Sequence, residues 1–221
     1  MLLVYLIDKV VNVHNSSYPF EREKLFGNDY FEGFKPNGEI NYESRILANF
    51  TFKKRGLVEK DPGYKQPIAY CVIVNPVLKK VFAYQRSAQD ARYSEKRLQG
   101  KWSVGLGGHI EKFESHNKNP IYASMLRELS EEVEGLEENI KPKVLGYINN
   151  DSDDVGKVHF GILYLIETAD EIKPKDAEIR EGRLREMEEL EKMLASSAVF
   201  RFEKWSRIAF AAAKRHLSAR G

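Results

Sequence analysis

Residues 107–136 read GGHIEKFESHNKNPIYASMLRELSEEVEGL. A glycine pair opens the stretch, and its second half carries the marks of one helix. Asn119-Pro120 supplies a capping side chain and then proline at the first helical position, where a missing N–H costs nothing. Gly135 provides a C-terminal stop. At about 100° per residue, Ile121, Met125, Leu129, Val133 and Leu136 fall in one apolar arc. Glu128, Glu131 and Glu132 stand at i, i+3 and i+4 and flank that arc, so their side chains meet on one side of a turn. Three carboxylates that close repel one another unless a cation sits between them, and a hard divalent ion such as Mg²⁺ prefers oxygen ligands. A solvated acidic face is the simplest account of most Glu-rich helices. The position of these three beside the buried stripe, behind a Gly-Gly loop, favours a functional one.

This stretch resembles the box of the Nudix (MutT-like) hydrolase family: Gly, five residues, Glu, seven residues, then Arg-Glu-apolar-x-Glu-Glu-x-Gly-apolar. Gly108 and Glu114 have the right spacing, and Arg127, Glu128, Leu129, Glu131 and Glu132 follow in order. There are two departures. Residues 115–126 number twelve where the pattern has seven, and counting back from Arg127 puts a five-residue insertion at Ser115–Asn119, in the loop before Pro120. Glu134 stands where the pattern has glycine, with Gly135 one place later, which should change the helix exit more than the carboxylate face.

Around this stretch the chain alternates strands and helices. Pro67–Val74 and Lys80–Arg86 read as a hairpin about Asn75-Pro76-Val77-Leu78, and Trp102–Leu106 as a strand entering the glycines. Lys143–Asn149 and Lys157–Thr168 read as strands joined by the acidic turn Asn150–Asp154, taken as a solvated loop in preference to a metal site. Both parities of the second strand are apolar, as in a strand buried on both faces. His159 within it reads as a satisfied core residue. Helices are expected at Met187–Leu194 and Phe202–Leu217, the latter with Phe202, Trp205, Ile208, Ala209, Ala212 and Ala213 near one stripe. This order predicts an α/β fold with helical layers around a mixed sheet. The resemblance implies the Nudix-like α/β/α sandwich over residues 66–221. Residues 1–65 form an N-terminal extension that begins with a strand at Leu2–Ile7. Its aromatics (Tyr18, Phe20, Phe26, Tyr30, Phe31, Phe34) lack a regular period and are expected to anchor it to a neighbouring core. For Lys53-Lys54-Arg55-Gly56, a surface turn, a homodimer contact and a cover over one end of the site are equally open.

Composition narrows the class. At 42% hydrophobic, 221 residues suffice for one good core. Thirty-five basic residues nearly balance 33 acidic ones, so stable nucleic-acid binding is not expected, while a nucleotide substrate remains compatible. Cys71 is the sole cysteine, which excludes an intrachain disulfide and a cysteine-based zinc site. No apolar run reaches membrane-spanning length, and MLLVYLI lacks a basic leader, so a cytoplasmic protein without a membrane partner is expected.

Cleaving a diphosphate requires charge neutralisation on its oxygens, an oriented water and a proton acceptor. The resemblance implies Mg²⁺ or Mn²⁺ held by Glu128, Glu131 and Glu132 with the Gly107 carbonyl. It also implies Glu114 and Arg127 as a supporting pair. Arg86, Arg97 and Lys101 precede the box at positions from which they could meet substrate phosphates. A box glutamate or a later carboxylate would serve as base, Glu178 and Glu181 ranking first among the later ones. The expected activity is hydrolysis of a nucleoside diphosphate linked to another moiety. Two alternatives stay open: a Nudix-fold module that binds a nucleotide or ADP-ribose without hydrolysis, and, disfavoured by the position of Cys71, an isoprenoid diphosphate isomerase.

Overall fold

The computed structural model describes residues 16–38, 40–88, 98–137 and 139–219; the strand expected at Leu2–Ile7 lies outside these. In chain order the elements are β1 (Ser16–Ser17), β2 (Phe20–Glu21), α1 (Arg22–Phe26), β3 (Gly33–Pro36), α2 (Tyr42–Asn49), β4 (Lys53–Lys54), α3 (Arg55–Val58), β5 (Tyr64–Asn75), β6 (Lys80–Arg86) and β7 (Trp102–Ser103). A 3₁₀ turn (Lys112–His116) leads to α4 (Pro120–Glu132) and β8 (Val133–Glu134). There follow β9 (Lys143–Asn149), α5 (Asp154–Val158), β10 (His159–Glu167), β11 (Lys173–Pro174), β12 (Ile179–Glu186), α6 (Met187–Ala195) and α7 (Lys204–Ser218). Among the described residues eight strands share one mixed sheet, hydrogen-bonded in the order β12-β6-β5-β10-β9-β3, with β2 on β5 and β7 on β6. Helices flank it, which is the expected α/β class. Among the described residues no helix is long and apolar enough to cross a membrane.

The chain forms two compact units, and the division falls within strands β5, β9 and β10 and helix α4. The first unit comprises Met1–Ala69, Gly107–Leu126 and Gly146–Ile162. Its core is aromatic. Tyr42 lies 4.9 Å from Tyr147 and 5.5 Å from Phe160 between ring centroids, and Phe26 and Phe31 lie 5.8 and 6.1 Å from Phe160. Tilted and edge-on rings at such distances add to what burial alone supplies. Phe26, Phe31 and Tyr42 thus pack on Phe160 of β10, and Tyr42 also packs on Tyr147 of β9. Strand β3 continues the sheet against β9 from Gly33↔Asn149 to Pro36↔Gly146.

The acidic turn at residues 150–154 departs from expectation. Asp153 accepts the Gly156 N–H at 2.8 Å and starts the short helix α5, so β10 begins only at His159. Asp151 is drawn inward by Lys65, a fully buried side chain whose Nζ reaches Asp151 Oδ1 (2.6 Å), the Gly156 carbonyl (2.7 Å) and the His159 carbonyl (3.2 Å). Arg22 pairs with the other carboxylate oxygen, and the Tyr30 hydroxyl donates to it at 3.0 Å.

The second unit comprises Tyr70–Leu106, Arg127–Leu145 and Leu163–Gly221. Strands β5 and β6 form the expected hairpin, with Val74 opposite Val81 and Asn75 opposite Lys80. The Asn75 side chain accepts the Leu78 N–H at 2.9 Å, and Lys79 takes a positive φ of 52° to close the turn. Leu106 and Cys71 exchange both backbone hydrogen bonds, at 2.8 and 3.0 Å, and burial pushes the Cys71 thiol pKa up. Strand β12, whose residues are mostly charged, pairs with β6 from Ile179↔Arg86 to Glu186↔Lys80. It ends the strand order, and its Arg and Glu side chains suit an edge that must stay soluble. Helix α7 buries Ala209, Phe210, Ala212 and Ala213, close to the predicted stripe.

Candidate active site

Helix α4 starts where the sequence placed it. Asn119 Oδ1 accepts the Tyr122 N–H at 3.0 Å. Ile121, Met125 and Leu129 are buried, each worth about 1.5–3 kcal/mol of transfer free energy. The helix ends at Glu132, three residues before the glycine read as its stop. Val133 and Glu134 leave it as a strand paired with Pro174 and Lys173. The orphan carbonyls of the last turn are met by the same loop. The Lys175 and Asp176 N–H groups donate to the Glu132 carbonyl at 2.9 and 3.4 Å, and Lys175 Nζ donates to the Ser130 carbonyl at 2.8 Å. Gly135 then turns the chain at φ 97°, where a side chain would meet the Glu171 carbonyl at 2.1 Å.

The three glutamates of this last turn differ in environment. Arg127 Nη1 lies 2.7 Å from Glu128 Oε1 and 3.1 Å from Glu131 Oε2. The Glu131 side chain is 55% exposed, while that of Glu128 is mostly covered. Glu132 is half-buried, and its Oε2 is sealed from solvent with no hydrogen-bond partner. Burial pushes its pKa up to about 8. Glu128, Asp176 and Glu203 push it the same way, and Arg86 opposes them. Among the described residues no three Asp, Glu, His or Cys side chains converge on one point as placed. The donor set nonetheless fits a hard cation: carboxylate oxygens within one helical turn, one of them buried and lacking any donor.

Sequence reasoning missed two of these neighbours. Asp176 is held in its turn by the Glu178 N–H at 2.8 Å. Glu203 occupies the N-cap of α7 without capping it. It binds Arg86 Nε at 2.5 Å and accepts from Ser103 Oγ at 3.2 Å, within a buried network that includes Ser206 and Tyr70. Burial raises the Tyr70 hydroxyl pKa, so it stays neutral. Asp176 was visible only as one more loop acid, and no local pattern marks Glu203, which pairs with a residue more than a hundred positions away.

The other expected residues fall as follows. Arg86 is buried on Glu203. The Lys101 carbonyl accepts the Arg86 N–H at 2.9 Å. Arg97 lies outside the described residues. Glu178 is half-buried, its carbonyl accepting from Ser87 N–H at 2.7 Å. Glu181 is exposed on β12, 3.9 Å from Arg185.

In the first unit, Gly107 lies against β5 so closely that a Cβ would sit 2.2 Å from the Ala69 carbonyl oxygen. Because the obstacle is backbone, Gly107→Ala is expected to destabilise the protein by about 1–3 kcal/mol, measured by urea denaturation. A change under a few tenths would mean that the loop yields freely. Farther along, Glu111 and Glu114 form a reciprocal capping box around the 3₁₀ turn, with the Glu111 N–H donating to Glu114 Oε2 at 2.6 Å. Glu114 is buried.

The fold built in this way is the Nudix fold. The crystal structure of Tm1382, described as a candidate Nudix hydrolase, matches 91% of this chain and 99% of its own with a TM-score of 0.69 at 24% identity. The Nudix domain of Shewanella oneidensis NrtR, crystallised with ADP-ribose, matches 69% of this chain and 88% of its own with a TM-score of 0.50 at 18% identity. No family model matches the sequence. The chain belongs to the same family as protein YmaB of Bacillus subtilis, with which it is 33% identical over 208 residues, 90% of this chain and 95% of the relative.

Proposed function

We propose that the protein hydrolyses a nucleoside diphosphate linked to another moiety, using Mg²⁺ or Mn²⁺. The observation that carries this reading is the buried, unpartnered Glu132 Oε2 on the same helical turn as Glu128 and Glu131. When bound, the ion would neutralise charge on the diphosphate and lower the pKa of a water. Glu128, Glu131 and Glu132 would hold it. The Gly107 carbonyl and the supporting role of Glu114 are carried over from the family resemblance, as is the five-residue insertion before α4. Arg127 keeps Glu128 and Glu131 oriented through its two ion pairs. Asp176 joins Glu178 as a candidate proton acceptor, because its charge is felt at Glu132 and its loop is fastened to the helix end.

The test is product release from a panel of nucleoside triphosphates, ADP-ribose, nucleotide sugars, dinucleoside polyphosphates and coenzyme A, with Mg²⁺, Mn²⁺ and EDTA arms. Release from at least one compound, abolished by EDTA, is expected. The ADP-ribose complex of the NrtR domain keeps a second reading in view, binding without hydrolysis. Thermal stabilisation by a panel member with no product after hours would establish that reading instead.

A further inference from the structure

We infer that Ser17, Gln66 and His159 are positioning residues, a buried hydrogen-bonded relay from the N-terminal segment that fixes the His109 ring and with it the backbone of the Gly107–Ile110 loop. This rests on the proposed function in one respect, the use of that loop as part of the metal site.

The relay lies within the first unit, and its one fixed acceptor, the Val155 carbonyl, orders the donors of the two rings. Ser17 Oγ donates to Gln66 Oε1 at 2.5 Å. Gln66 Nε2 faces His159 Nε2, 3.4 Å away. At the other side of its ring, His159 Nδ1 lies 2.7 Å from the Val155 carbonyl, which can only accept. His159 therefore carries its proton on Nδ1 and presents a lone pair at Nε2. His109 Nε2 lies 3.0 Å from that lone pair, so His109 must be the donor there. The two rings hold opposite tautomers.

Ser17, Gln66 and His159 are all buried, with exposures of 1, 0 and 5%. An apolar filling of the same volume would avoid the desolvation such groups suffer, and a hydrogen-bonded chain gives in exchange one defined arrangement. The arrangement it defines is at the loop. His109 forms a β-bridge with Ile68, its carbonyl accepts from Ser124 Oγ at 3.3 Å, and Gly107 is pressed on the Ala69 carbonyl. Backbone contacts fix the loop along β5, and the ring contact fixes it from the side. The far end of the relay sits in β1, which pairs with β4 through Ser17↔Lys53. This gives the N-terminal segment a role: it holds the loop that follows β7.

The experiment uses the ¹⁵N-labelled full chain at neutral pH, with ring signals assigned through His109→Gln and His159→Gln. Long-range ¹⁵N correlations should show His159 protonated at Nδ1 and His109 at Nε2. Ser17→Ala, a small change at the remote end, should move the His109 ring signals and weaken Mn²⁺ binding, followed by water-proton relaxation, by up to about 10-fold, the lower end of what loss of a partner bonded directly to a ligand causes. Gln66→Leu should do the same, which guards against misfolding of either variant. Identical tautomers in the two rings would overturn the relay. Weakened Mn²⁺ binding with unmoved ring signals, or moved ring signals with unchanged Mn²⁺ binding, would overturn the positioning role. Wild-type protein with the expected tautomers but no affinity for Mn²⁺ would overturn the proposed metal-dependent function, and with it the use assigned to the relay, while leaving its hydrogen bonding intact.

Discussion

Glu132→Gln should remove at least about 10²–10³-fold of turnover while leaving the metal-free protein as stable as the wild type, or slightly more so. The magnitude is that of deleting one preorganised charge-stabilising group from a site. The stability half follows from the environment of this carboxylate. Its Oε2 is buried without a partner, and its pKa is pushed up to about 8 by burial and then by Glu128, Asp176 and Glu203. At neutral pH the metal-free side chain is therefore mostly a neutral acid, which glutamine matches in shape and charge. Only the state that binds a cation requires the carboxylate, so the cost of the substitution falls on function. A thermal-shift series separates the two. Saturating Mn²⁺ should raise the wild-type melting temperature by linkage and leave that of the variant nearly unmoved. Turnover within threefold of wild type, or full stabilisation by Mn²⁺ in the variant, would remove Glu132 from the metal site. Glu131→Gln provides the contrast. Its side chain is largely in solvent and shared with Arg127, so any loss it shows should leave stability unaltered by metal-free burial effects.

The glutamate face was legible because helical periodicity is local. Three residues of spacing put Glu128, Glu131 and Glu132 beside Leu129, and an Asn-Pro step marked where the helix begins. What lay beyond the sequence depends on partners distant in the chain. The helix ends at Glu132 because Val133 and Glu134 find a strand forty residues away, at Lys173 and Pro174, and Gly135 is used for the turn after it. Arg86 reads in sequence as a cation ahead of the box that could meet substrate phosphates. It pairs with Glu203, a residue that a helix reading treats as an ordinary first-turn acid. The charged run of β12 carries no apolar alternation, since as an edge strand it buries little beyond Ile179 and Arg185, yet it pairs along the whole of β6. The acidic turn 150–154 reads as solvated for the same reason. Nothing within five residues discloses that Lys65, at the head of an apolar strand, is its counterion.

That counterion sets the second large effect, in stability. Asp151→Ala should destabilise the fold by about 3–5 kcal/mol near neutral pH, because it leaves the buried Lys65 ammonium without its carboxylate. In the wild type the pair is already under tension. Burial, against the help of Asp151, lowers the Lys65 pKa to about 8, a shift worth about 3 kcal/mol against the charged form. Burial acts against the Asp151 carboxylate too, but hydrogen bonds from Arg22, Lys65 and Tyr30 prevail and hold its pKa at about 2. The signs give distinct pH windows. Asp151 titrates lower when folded than when unfolded, so its contribution is present above about pH 4 and is lost as pH falls toward 2. Lys65 also titrates lower when folded, so between about pH 8 and 10.5 the unfolded chain holds a proton that the native one has released, and stability rises with pH. Without Asp151 the folded pKa of Lys65 falls further and that window opens at lower pH. The deficit of Asp151→Ala should therefore shrink as pH is raised from 6.5 to 9.5 in urea denaturation. Lys65→Met, which removes the buried charge itself, should show no alkaline recovery. It still leaves the Gly156 and His159 carbonyls short of a donor, at about 1–3 kcal/mol for each one unsatisfied. A deficit for Asp151→Ala under about 1 kcal/mol that does not change with pH would mean that Lys65 reaches water, and that the 150–154 turn is the solvated loop its composition described.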